Sequence, residues 1–80
     1  MRELEVIEKE IEGDILITKT AQYNNLRAAN VTVAENVVAR LYGTINKDLV
    51  IKRGARVYLH AAVLGKIKND FGELQVFDRV

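Results

Sequence analysis

The chain has no cysteine, no serine, no proline and no tryptophan, and a single histidine. Without cysteine there is no disulfide framework, no thiolate metal site and no cysteine nucleophile. One histidine with neither serine nor cysteine cannot assemble the common nucleophile and base pairings within one chain, so a non-enzyme is expected. His60 alone supplies no ligand cluster for a metal. The segment "LYGTINKD" has one glycine and lacks the Gly-Lys-Ser/Thr ending of a phosphate loop. No catalytic, metal or cofactor site is therefore expected. The opening "MRELEVIEKEIEGD" contains no apolar run of seven or more residues, which predicts neither signal peptide nor anchor. A cytoplasmic protein with no membrane insertion is the expectation, and the "NVT" sequon at Asn30 is then idle.

What is present is mostly aliphatic. Of 80 residues, 49% are hydrophobic, but only three are Tyr and two Phe, which suits narrow, stacked interiors. The length predicts one domain, residues 1–80, with a thin margin of stability. The net charge is +1, unevenly spread. Residues 1–14 hold six acids against Arg2 and Lys9, while residues 40–68 hold seven bases against Asp48. A basic middle attracts nucleic acid or an acidic protein. No aromatic-rich nucleic-acid motif accompanies it, so a solvated face is the reading and nucleic acid is not an expected partner.

The informative feature is a repeat. Sliding the chain on itself by eighteen places Val31 on Leu49 and Ile67, Val33 on Ile51, Ala39 on Val57, Leu41 on Leu59, and Ile45 on Val63. One deletion near Ala55 brings "GELQVFDRV" into the same register, with Leu74, Val76 and Val80 following Val57, Leu59 and Val63. A period of six lies inside the eighteen: Val33, Ala39, Ile45, Ile51, Val57 and Val63. A companion series runs Val31, Val37, Gly43, Leu49, Ala55, Ala61 and Ile67. From Val31 to Ile67 the inward candidates fall at odd positions, the period of strands, which would scatter them around a helix. Glu35, Lys47, Arg53 and Gly65 break the pattern at corners.

Three sides of about six residues make a coil, and coils stack at the strand spacing of roughly 4.8 Å. The expected fold is all-β: a three-sided parallel β-helix, or solenoid, with coils over residues 13–80. Corners are supplied by "AEN", "NKD", "KRG" and "NDFG". "EGDILITK" predicts a strand with Ile15 and Ile17 inward, and "TAQYNNLRAAN" an irregular middle to that coil. Residues 1–12 read as an N-terminal cap, either a strand or a short helix with Leu4, Ile7 and Ile11 on one face.

The segments "VTVAENVVARLYGTI" and "LVIKRGARVYLHAAVLGKI" resemble the coils of bactofilins, the bacterial polymer-forming cytoskeletal proteins. The resemblance covers roughly residues 11–80 and implies a right-handed β-helix with a structural role. The bactofilin core it resembles is longer, richer in glycine and flanked by tails. The period of six also resembles hexapeptide acyltransferases, but Ala34, Arg40, Asn46, Lys52, Tyr58 and Leu64 stand where that family favours Gly.

Two surfaces are candidates for contact. In the eighteen-residue register Tyr42, His60 and Phe77 form one outward column, beside Arg40 and Tyr58, with Arg56 nearby; Tyr and Arg carry binding energy disproportionately. The other is the end of the last coil, with Phe71, Leu74, Phe77 and Val80, where a second copy could stack as a closed dimer or head to tail as a fibre. The first expectation is thus a structural or scaffold solenoid that associates with itself as a homodimer or larger assembly. The alternative is a binding module for another bacterial protein, such as an immunity protein that masks a toxin.

Overall fold

A computed structural model of the chain describes residues 5–8 and 11–77. Every regular element among them is a strand: β1 (Val6–Ile7), β2 (Ile11–Ile17), β3 (Ala21–Val33), β4 (Val38–Ile45), β5 (Leu49–Ile51), β6 (Arg56–Leu59), β7 (Ala62–Val63), β8 (Ile67–Asn69) and β9 (Glu73–Val76). All pairings are parallel, and each strand pairs with one about a coil away. The chain is a β-solenoid.

The pairs sort into three sides. On the first, Val6, Gln22, Arg40, Tyr58 and Gln75 form one column. On the second, Ala28, Ile45 and Val63 succeed one another above Gly13. On the third, Ile15, Val31, Leu49 and Ile67 stack, with Ile17, Val33, Ile51 and Asn69 beside them. The expected matches of Val31, Val33, Ala39, Leu41, Ile45 and Val57 are the observed partners. The deletion also falls as expected, since Val57 pairs with Leu74 and Leu59 with Val76.

Alternation explains the core. Ala21, Val31, Val33, Ala39, Leu41, Ile45, Leu49, Ile51 and Val57 are buried, and within each strand their immediate neighbours are less buried. Burying each aliphatic side chain contributes roughly 1.5–3 kcal/mol, and β-branched residues suit the pleated surface. Glu35, Lys47, Arg53 and Gly65 are exposed corners. The corner between third and first sides repeats one backbone solution, with positive φ at Asn36 (63°), Gly54 (76°) and Phe71 (63°). Another corner is held by side chains. Asp14 Oδ1 accepts the Asn30 amide, Asn30 Oδ1 accepts the Asp48 amide, and Asp48 Oδ1 accepts the Lys66 amide.

Three details differ from the sequence reading or refine it. The "TAQYNNLRAAN" segment is more regular than expected: all of it but Thr20 lies in the thirteen-residue β3, which pairs on either side of two corners. A bulge between Tyr23 and Leu26, with Asn25 at φ 62°, adds one residue and moves the buried set from odd to even positions. Period-2 counting lost the strand there. Gly43, counted among the inward residues, is exposed with φ 131°, and a Cβ on it would run into the Leu26 backbone. Finally, the described part of residues 1–12 takes the strand alternative, since Val6 and Ile7 pair with Gln22 and Tyr23, and Ile11 and Glu12 with Leu26 and Arg27. Leu4 lies outside the described residues.

Candidate functional site

Two outward columns of the first side converge on one face. Where strands of successive coils are in register, their outward side chains stand about 4.8 Å apart, close to the thickness of two stacked rings. The Tyr42 and His60 rings lie 4.4 Å apart and 7° from parallel; His60 and Phe77 lie 4.5 Å apart and 11° from parallel. Backbone bonds from His60 N to Leu41 O and from Phe77 N to Leu59 O fix the spacing. Each stacked pair contributes about 0.5–1.5 kcal/mol beyond its buried area. The column therefore braces three coils while presenting ring edges to solvent.

The neighbouring column continues the face. Arg40 Nη1 donates to Gln22 Oε1 at 3.2 Å, and the Arg40 guanidinium lies 5.9 Å from the Tyr58 ring centre. Tyr58 is tilted against Phe77 at 6.3 Å. Arg56 pairs with Glu73 at 2.6 Å, and its protonated form is strengthened first by the Tyr58 hydroxyl and then by Glu73. Burial, and secondly the charge of Arg40, push the His60 imidazole below its ordinary value. Arg40, Tyr42, Arg56, Tyr58, His60 and Phe77 are thus brought together, as the register predicts. Below Tyr42, where β3 bulges, lies an open groove of about 560 Å³ lined by Glu8, Gln22, Asn24, Asn25, Tyr42 and Gly43. No group of three or more His, Asp or Glu that could hold a metal ion occurs among the described residues.

The last coil is the second surface. Val76 and Ile67 occupy columns that are sealed below, yet are 62% and 40% exposed, and Phe77, at the top of the outward ring column, is 43% exposed. Leu64 and Phe71 add 67% and 77% exposure at its corners. Phe71 reaches back over Arg53, whose guanidinium lies 5.3 Å from the ring centre. Leu74 is half-buried against the core, less open than its place on an end suggests. Val80 lies outside the described residues. Sequence counting named Phe71, Leu74 and Phe77 for this surface but not Leu64, Ile67 or Val76. Ile67 and Val76 were legible as inward residues of a coil that has no successor among the described strands.

Scans of protein-family models, of curated proteins and of solved structures each return no match to this chain.

Proposed function

We propose that the protein is a non-enzymatic structural β-solenoid that associates with a second copy of itself through its last coil. The observation behind this reading is the fate of the inward columns. Residues such as Leu41, Val57, Leu49 and Ile51 are almost fully sealed by the coil above, whereas Val76 and Ile67 are open. The strands there, β7, β8 and β9, pair on one side only among the described strands. An apolar end with free backbone donors and acceptors pairs readily with another chain unless it is covered. A second copy offers the same strand geometry. Light scattering coupled to size exclusion tests this: the parent should exceed the 9.0 kDa monomer, and Val76→Asp should return it to one copy. A parent that stays monomeric throughout a dilution series would sink the reading.

The stacked Tyr42, His60 and Phe77 rings beside Arg40 and Tyr58 favour a second reading, a face for a different protein, as an immunity protein has for its toxin. Tyr42→Ala with Tyr58→Ala should then abolish hetero-association while leaving the self-associated mass unchanged. Loss of the self-associated mass instead would assign the face to the copy.

A further inference from the structure

Resting on the self-association proposed above, we infer that the two ends of the solenoid are not equivalent: the first coil is closed to stacking, and copies join last coil to last coil as a twofold dimer. The inward columns show why. Ala21, Ala39, Val57 and Leu74 form one of them. Continuing down in register, the position beneath Ala21 is Glu5, one residue before the Val6–Gln22 pair. The corner column Val37, Ala55 continues downward to Lys19, two residues before the Ala21–Ala39 pair. At the lower end of these columns, where higher coils carry aliphatic groups, Glu5 of the first coil thus meets Lys19 of the coil above it in a half-exposed ion pair, Lys19 Nζ to Glu5 Oε1 at 2.9 Å. Tyr23, inward in the same coil as Lys19, donates its hydroxyl to the Lys19 carbonyl at 2.6 Å. Charges at inward positions of an edge coil block further pairing.

Magnitudes decide between the two arrangements. Charge at the rim gives head to tail only local attractions, since the described part of the first coil carries Glu5, Glu8, Glu12 and Asp14 and the last coil carries Lys66 and Lys68 against Asp70 and Glu73. Exposed ion pairs of that kind contribute about 0–1 kcal/mol each. Head-to-tail stacking would place Glu5 over Leu74 of the next copy and bury the Glu5–Lys19 pair, at several kcal/mol per ion. The burial cost wins. Two first coils would face each other with their acids and repel. Two last coils meet without net charge, because residues 62–77 balance Lys66 and Lys68 with Asp70 and Glu73. Their exposed Ile67, Phe71 and Val76 can cover the same residues of the partner, as an isologous contact requires. Asn69, the polar member of an inward column at this end, already uses its Oδ1 to accept the Gly72 amide at 2.8 Å.

The cysteine-free chain allows a direct test with single spin labels at Leu16→Cys and Lys68→Cys. These positions share the outward column Leu16, Thr32, Val50, Lys68 on the third side. In a twofold dimer through the last coils both labels have the same lateral offset, but their axial separations differ. At about 4.8 Å per rung they are about 5 Å for Lys68 and about 34 Å for Leu16. A pulsed dipolar measurement should therefore give a clearly shorter distance at Lys68, in a species of two copies. Equal distances at the two sites, in a mass that grows with concentration, indicate a head-to-tail fibre and overturn the inference while leaving self-association standing. A shorter distance at Leu16 overturns it likewise. A monomer in every sample removes the self-association reading itself.

Discussion

Phe71→Gly separates the fold of the last corner from its use. The equivalent corner residues below are Asn36 and Gly54, and all three adopt positive φ. That conformation costs a bulky L-residue about 1–3 kcal/mol and glycine very little. Against this relief stands the lost side chain, which is 77% exposed in the single chain. A quarter of the roughly 1.5–3 kcal/mol for full burial of a phenylalanine is about 0.5 kcal/mol. The exposed contact with the Arg53 guanidinium adds about 0.5–1 kcal/mol. The terms nearly cancel, so the monomer's stability should move by less than about 1 kcal/mol. Truncating a buried phenylalanine costs 3–5 kcal/mol by comparison. Urea unfolding followed by circular dichroism, at dilutions where the parent is monomeric, reads the first quantity. Light scattering at higher concentration reads the second, where Phe71→Gly should weaken or abolish association. A loss above about 2 kcal/mol in the monomer would show that Phe71 packs inward and refute the corner argument. Unchanged stability with unchanged mass would remove Phe71 from the contact.

Three further outcomes follow from the same geometry. Gly43→Ala should lower the urea midpoint by the equivalent of at least about 2 kcal/mol, because φ 131° is strained for alanine and the new Cβ meets Leu26 backbone; a neutral result would show that the β3 bulge yields easily. His60 should make stability pH-dependent. Its folded-state pKa is depressed from 6.5 by burial and by Arg40, so below 6.5 the unfolded chain binds more protons, and stability falls as pH drops through that window and then levels off. His60→Gln should remove that part of the slope in urea midpoints measured between about pH 7 and pH 5, and an unchanged slope would discard it. Glu5→Leu with Lys19→Leu should unseal the first coil, so that mass grows with concentration beyond two copies; a mass held at two would show that another feature closes that end.

The legible part of this fold was set by strict alternation. From Val31 to Val63 each inward position is aliphatic or small, each coil has nearly constant length, and strand, register and outward column follow together; hence the Tyr42, His60 and Phe77 stack could be placed by counting alone. Where coil length varies, counting fails for a physical reason. Val6 and Gln22 are sixteen apart, Ile11 and Leu26 fifteen, and Leu26 and Gly43 seventeen. A single added residue at Asn25 inverts the parity of all that follows until the next corner. Gly43 misled because a small residue fits a stacked interior as well as it fits a close backbone approach; only its φ separates the two. The Glu5–Lys19 pair was legible merely as acidic bias, since its meaning depends on the columns above it.

The two outermost described coils face the same difficulty, and they carry different residues at their inward positions. A coil in the middle has its backbone paired and its aliphatic groups covered on both sides; an end coil has half of that. At this size only about 60% of the unfolded surface is buried, so two open apolar ends would expose a large share of a small core. Sealing both with charge would sacrifice apolar burial at each, and the conformational entropy of ordering a coil is the same whether or not its interior is aliphatic. Under the proposed self-association, Glu5, Lys19 and the Tyr23 hydroxyl close the first coil, and the aliphatic last coil is the edge that a second copy would cover. Small domains often depend on such a staple. On this view the exposed Ile67, Phe71 and Val76 are the part of the core that a second molecule completes.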